Sequence, residues 1–326
     1  MRYDLESSPR KKRAFNAKTE DVYHWSLTIP WALLGIDASD GIQHEEIVTL
    51  QEAVGVQPDG LMGRDTLQSL QSFLEGELSQ IWNPVSGEVY QKCDNAQHLV
   101  WNGLKVPLFN VDFKIMPFSS ASGIDLHSTG SFNKLSREIN SVVVHWGGLN
   151  PHHLGRVFVN RKASSHIAVG RSEVGGEGFT EGDCVIFQYL DLGLVAWHAK
   201  NANRNSIGID ICQQPELKHL GYYQKHRYDV RTIPNPAYPY GPKKVISLDG
   251  EISAATSSLL ESLARAFHLP SKVAKVSEGC VSKTEFAKGG IFSHFHVDFA
   301  AQGKWDIAPW WEEVVSTLRP DIASNR

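Results

Sequence analysis

The sequence predicts an α/β protein in which a mixed central β-sheet flanked by helices is preceded by a small N-terminal helical domain. From Arg137 onward, short β-branched or alternating apolar runs interleave with segments of helical period, an order that builds one sheet with helices packed on it. Between Tyr23 and Leu78, apolar residues recur at helical spacing on both sides of a Gly-rich turn. A chain of 326 residues with 41% apolar content is long enough to build two cores of ordinary size.

Composition narrows the function classes. A formal net charge of −4 gives no global basic field, so nucleic acid is not an expected partner. The one basic run, Arg10 to Arg13, reads as a solvated tail. No run approaches the roughly 18 apolar residues of a membrane span, so no stable membrane insertion is expected. The opening "MRYDLESSPRKKR" lacks the apolar core of a secretory signal, which predicts synthesis in the cytoplasm. Four cysteines, Cys93, Cys184, Cys212 and Cys280, show no C-x-x-C pairing and are expected to be buried, reduced thiols.

In the first domain, "IVTLQEAVGVQPDGLMGRDTLQSLQSFL" places Ile47, Leu50 and Val54 on one helical stripe and Leu67, Leu70 and Phe73 on another. Pro58, Gly60 and Gly63 break the helices between them. The order Leu50-Gln51, Asp59-Gly60-Leu61-Met62-Gly63, Thr66 and Phe73 resembles the small three-helix peptidoglycan-binding module, which implies such a module over residues 20–78. Met62 stands where that pattern carries an aromatic residue, and Leu74 follows Phe73 in place of glutamine. Residues 79–136 read as a connecting segment of short strands and Ser/Gly-rich linker, and residues 137–326 as the second domain.

In the second domain "SVVVHWGG", "SSHIAVG", "CVIFQYL" and "NSIGIDIC" read as short strands. "ISAATSSLLESLARAFHLP" carries Ile252, Leu259, Leu260, Leu263 and Phe267 on one helical face and stops before Pro270. "GIFSHF" is a last strand and "PWWEEVVSTL" a last helix, with Trp310 and Trp311 expected to pack against the sheet. His145 ends a strand that precedes Gly147-Gly148, and His294 holds the same kind of position on another. Either alone suits a hydrogen-bonded structural role. Lys304 and Asp306 flank Trp305, so in an extended segment they would project to one side. Two imidazoles and one carboxylate form a set that suits zinc and leaves a fourth position open.

Taken in order, "INSVVVHWGG", "SSHIAVGR", "LGLVAWHAKNANRNSIGID" and "GIFSHFHVDFAAQGKWDIAPW" resemble the type 2 N-acetylmuramoyl-L-alanine amidase family, which shares its fold with the peptidoglycan recognition proteins. The resemblance runs from about residue 137 to 318 and implies a zinc (Zn2+) cofactor held by His145, His294 and Asp306. His296 is the rival to His294, because its distance from Asp306 is closer to that of members with a shorter loop. Lys304, two residues before the third ligand, is implied as donor to the oxyanion, and Asp210 takes the place of the family's glutamate as proton acceptor and donor, one methylene shorter. Trp146 and His198 are implied to contact substrate. His166 is implied to pack, and Ser165 replaces a tyrosine found in other members. The family continues Asp-Pro-Gly where this chain has Asp306-Ile307-Ala308-Pro309.

What the resemblance implies is a zinc-dependent amidase that cuts the lactyl-L-alanine amide of peptidoglycan behind a wall-binding module. The expected partner is peptidoglycan, and a monomer is expected. The implied setting is a phage endolysin, or a recycling or delivered bacterial enzyme, that reaches the wall after release. The alternative is a recognition or docking protein that binds the wall without cutting it, and the stem-peptide preference stays open.

Overall fold

Two runs, Val142–Val144 and Ile207–Ile211, are apolar on both faces or broken only by glycine and one aspartate, a pattern that suits a strand covered on both sides. Both become fully buried strands at the centre of a six-stranded sheet. The computed structural model describes residues 10–38, 42–92, 97–108, 111–116, 138–176, 178–239, 241–270, 272–297, 305–316 and 318. These fall into two compact units, one ending at Pro107 and the other taking in the described residues from Leu108 onward.

The first unit opens with helix α1 (Arg10–Tyr23) and the short α2 (Trp25–Thr28), followed by α3 (His44–Ala53) and α4 (Arg64–Gly76). Arg10–Arg13, read from the sequence as a tail, is the first turn of α1. The turn between α3 and α4 is tied from inside by Gln51. Its Oε1 accepts from Gly60 N at 2.7 Å, and its Nε2 donates to Asp59 Oδ1 at 2.9 Å and to Leu61 O at 3.1 Å. Asn16 of α1 closes the same turn from outside, donating to Gly60 O at 3.0 Å and accepting from Met62 N at 2.9 Å. Met62 is fully buried, so the residue that departs from the aromatic pattern is a core residue here. On α4 the buried face runs Thr66, Leu67, Leu70, Gln71 and Leu74, and Phe73 is only half-buried. Strands β1 (Gln80–Trp82) and β2 (Val89–Gln91) pair antiparallel, and β3 (Gln97–Trp101) pairs with β4 (Leu104–Leu108). Gln71 of α4 holds Lys105 of β4 by its backbone, accepting from N at 3.0 Å and donating to O at 2.7 Å.

In the second unit the sheet has the order β12-β6-β9-β7-β8-β5. Strands β5 (Lys114–Met116), β6 (Ser141–Trp146), β7 (Ile167–Arg171), β8 (Cys184–Gln188), β9 (Ser206–Ile211) and β12 (Gly290–Ser293) compose it. Strands β12, β6, β9 and β7 are mutually parallel, β8 runs antiparallel to β7, and β5 lies parallel to β8 at the edge. Helix α5 (Pro151–Arg161) covers one face, where Leu154 and Phe158 pack with Ala168, Val185, Phe187 and Cys212. Alternation along β7 turns Arg171 to the other face, where it meets Asp249 at the start of α7 (Gly250–Ala266). Further on come α6 (Leu220–Lys225), a separate antiparallel hairpin of β10 (Thr232–Pro234) and β11 (Lys244–Ile246), then α8 (Lys283–Ala287), α9 (His294–Val297) and α10 (Trp311–Ser316). Trp310 and Trp311 are fully buried, and their indole N–H groups donate to Ile246 O at 2.9 Å and Ala274 O at 2.5 Å. Cys184 and Cys212 are buried as expected, whereas Cys280 is exposed because it lies in the loop before α8. Cys93 lies outside the described residues.

Asp249 serves four partners at once. Its carboxylate caps α7 by accepting from Glu251 N at 3.1 Å and Ile252 N at 3.3 Å, accepts from Asp229 N at 3.0 Å, and pairs with Arg171 at 3.1 Å. Removing it would leave the largely buried Arg171 guanidinium with only Glu251 at 3.3 Å and Gly182 O at 2.7 Å as partners, and the helix without its cap. Asp249→Ala is therefore expected to cost about 2–4 kcal/mol in urea unfolding, and Asp249→Asn, which keeps an acceptor for the cap, distinctly less.

Candidate active site

Parallel pairing assembles the site. In the β6–β9 register His145 stands opposite Asp210, and in the β12–β6 register Ser293 stands opposite Val144. The residue after Ser293 is His294, which therefore arrives beside His145. Their rings lie 4.4 Å apart between centroids. Asp306 reaches the same place from the turn before α10, and its Oδ2 is 2.7 Å from His294 Nδ1. Ligand-type atoms of His145, His294 and Asp306 all lie within 4.8 Å of one another. Atoms bound tetrahedrally to zinc at about 2.0–2.2 Å are about 3.4 Å apart. The set is thus within small side-chain rotations of that spacing, and two imidazoles with one carboxylate are a donor set that zinc accepts.

His296 takes no part. Strand β12 ends at Ser293 and α9 begins at His294, so the backbone turns about 200° between residues 294 and 296 instead of presenting both to one side, as a continuing strand would. The ring of His296 is fully buried, with Nδ1 accepting from Ser293 N at 3.0 Å and Nε2 at 3.0 Å from Lys275 O, to which it donates. Burial lowers its pKa. It is a neutral structural histidine.

A second layer backs His145. His145 Nε2 is 2.9 Å from His198 Nδ1, and His198 Nε2 is 3.2 Å from Ser206 Oγ, which donates to Ala202 O at 2.6 Å. This chain of contacts fixes the His145 ring, the usual task of an outer partner at a metal site. The space for His198 depends on Gly208, where a Cβ would fall 2.7 Å from His198 Cγ and 2.9 Å from Ser165 Oγ. His166 is held separately, accepting from Gly208 N at 2.9 Å through Nδ1 and donating from Nε2 to Leu194 O at 2.9 Å, as a packed histidine should.

Asp210 is buried on β9 beside His145. Burial pushes its carboxyl up to about 7. Ser165 opposes this and the Asp306 charge adds to it. The Ser165 hydroxyl lies close enough to favour the carboxylate form, although it makes no hydrogen bond of full geometry. Trp146 is half-buried and meets Trp305 edge to face, with centroids 4.6 Å apart and planes at 82°. Sequence reading passed over Trp305; its place between Lys304 and Asp306 was the available signal. After Asp306, Ile307 is fully buried with φ of +65°, a conformation that costs a β-branched residue about 1–2 kcal/mol and marks the place where the chain departs from the Asp-Pro-Gly pattern. Lys304 lies outside the described residues.

A family model described as N-acetylmuramoyl-L-alanine amidase matches residues 135–308, more than half of the chain and the whole of the three-residue cluster. No curated protein matches the chain. Among the described residues no helix is long and apolar enough to cross a membrane.

The two neighbouring histidines should separate in a stability measurement. His296→Ala leaves the buried Ser293 amide and the part-buried Lys275 carbonyl without their side-chain partner and opens a cavity, and is expected to cost about 2–4 kcal/mol in urea unfolding. His294→Ala, made in metal-free protein, loses its contacts to Asp306 and to the His145 ring but strands no buried backbone group, and is expected to cost distinctly less than His296→Ala.

Proposed function

The chain belongs to the N-acetylmuramoyl-L-alanine amidase family, and from that membership we propose that it uses zinc to hydrolyse the amide between the muramoyl lactyl group and L-alanine in peptidoglycan. The observation that carries the zinc reading is the convergence of His145, His294 and Asp306 within 4.8 Å inside the matched segment. A zinc ion bound there would lower the pKa of a water and polarise the amide carbonyl.

The residues divide the remaining work. His145 and His294 bind as neutral imidazoles and Asp306 as the carboxylate, with His198 orienting His145. Asp210, beside His145, takes a proton on its carboxylate as water adds to the carbonyl carbon. It returns that proton to the L-alanine nitrogen as the C–N bond breaks, leaving a lactyl carboxylate and a free amino terminus. Lys304 donates to the carbonyl oxygen as negative charge gathers there. Trp146 lines the rim on which substrate rests.

The N-terminal unit is proposed to hold the enzyme on the wall, which raises the effective concentration of the catalytic unit at an insoluble substrate. We place the protein with endolysins or delivered lytic enzymes that are made in the cytoplasm and meet the wall after release.

Zinc content and the release of amino termini from purified peptidoglycan test the reading together. The wild type is expected to hold about one zinc per chain and to release termini; His294→Ala should lose both, and His296→Ala should keep the metal wherever it folds. A wild type that binds peptidoglycan, holds no zinc and releases nothing would identify a recognition or docking protein instead. Asp210→Asn is expected to keep zinc while kcat falls by about 10²–10⁴, the range typical for loss of a general acid–base group.

A further inference from the structure

His145 lies about 150 residues before His294 and Asp306, and a single hairpin loop packs against residues next to the latter two. Strands β10 and β11 pair antiparallel, and the connection between them begins at Asn235 and ends at Lys243. Asn235 is buried and braces both ends of that connection. Its Oδ1 accepts from Ala237 N at 2.9 Å, its Nδ2 donates to Pro242 O at 2.9 Å, and its backbone N–H donates to Lys243 O at 2.9 Å.

From this brace two contacts reach the site. Ala237 packs with Phe295 and Ala308 in one buried cluster. Gly241, with φ of +90°, lies flat against Trp305: a Cβ there would sit 2.4 Å from Trp305 Cδ2. Phe295 follows His294, Trp305 precedes Asp306, Ala308 comes two residues after it, and Trp305 in turn packs on Trp146, which follows His145. Every member of the cluster thus has a chain neighbour in one continuous packing that starts at the loop. Consecutive Cα atoms are about 3.8 Å apart, so fixing the neighbour's ring closely constrains the backbone that carries the ligand.

Resting on the zinc reading given above, we propose that the β10–β11 loop is a template for the metal site, with Trp305 as the positioning residue through which it sets the spacing of Asp306 and His145. Trp305 need not touch substrate for this. Its role is the outer-layer support that metal ligands require, here supplied by packing in place of a hydrogen bond.

The test is the zinc dissociation constant, measured by competition with a chelator, alongside thermal unfolding of the metal-free protein, for the full chain and for Trp305→Ala, Trp305→Phe and Gly241→Ala. Trp305→Ala is expected to weaken zinc by about 10–100-fold with the melting temperature of the metal-free protein little changed, Gly241→Ala to weaken zinc by a similar factor, more than the drop in metal-free melting temperature set by its positive φ accounts for, and Trp305→Phe to restore most of the affinity. Zinc held as tightly by both variants as by the wild type would overturn the proposal, as would a loss of affinity that only follows a loss of metal-free stability. A raised KM for peptidoglycan with unchanged zinc would also overturn it and make the pair a substrate surface. If Trp305→Ala does not fold, Gly241→Ala decides alone. A wild type without zinc is a different result, which defeats the amidase reading itself.

Discussion

The register of three adjacent parallel strands governs everything else in the second unit. Because β12, β6 and β9 run in one direction, their carboxyl ends finish side by side, and the residues at those ends become neighbours whatever their distance in sequence. His294, His145 and Asp210 are such residues. A slip of one residue in either pairing would turn the imidazole of His145 to the opposite face of the sheet, so the buried valines and isoleucines that fix the register also fix the chemistry.

Histidine is used here in three physical states, and hydrogen-bond bookkeeping distinguishes them. His166 and His296 spend both ring nitrogens on backbone groups inside the core, which selects one neutral tautomer and leaves nothing for a ligand. His198 faces another imidazole on one side and a serine hydroxyl on the other, the arrangement of an orienting group. His145 and His294 face each other and a carboxylate. Asp210 differs from all of them as a carboxyl whose burial opposes its charge.

Much of this was legible in the sequence, because strand ends are. The run of valines before His145 and the alternation of isoleucines around Asp210 identify buried strands, and a polar residue at the end of such a strand serves either a site or a satisfied structural bond. The choice between His294 and His296 was not legible, since it depends on the chain leaving strand geometry after Ser293, a change enforced by packing around α9. Phe73 and Leu74 were exchanged for a related reason: one residue around a helix decides which of two apolar side chains faces the core, and only the packed partners settle it. Trp305 and the Asn235 loop depend on contacts between segments more than 50 residues apart, which no local pattern records.

The hydrogen bonds from Asn16 carry a consequence for where the first unit begins. The carbonyl of Gly60 and the amide of Met62 are buried groups whose partner sits more than 40 residues upstream, on a helix that opens with the basic run. Cutting the chain at residue 20, where the helical pattern of the module suggests a start, would leave that turn with two unmatched polar groups in its interior. Helix α1 is thus part of the first unit's own architecture, and the backbone of the basic run forms the first turn of the helix that closes the turn before α4.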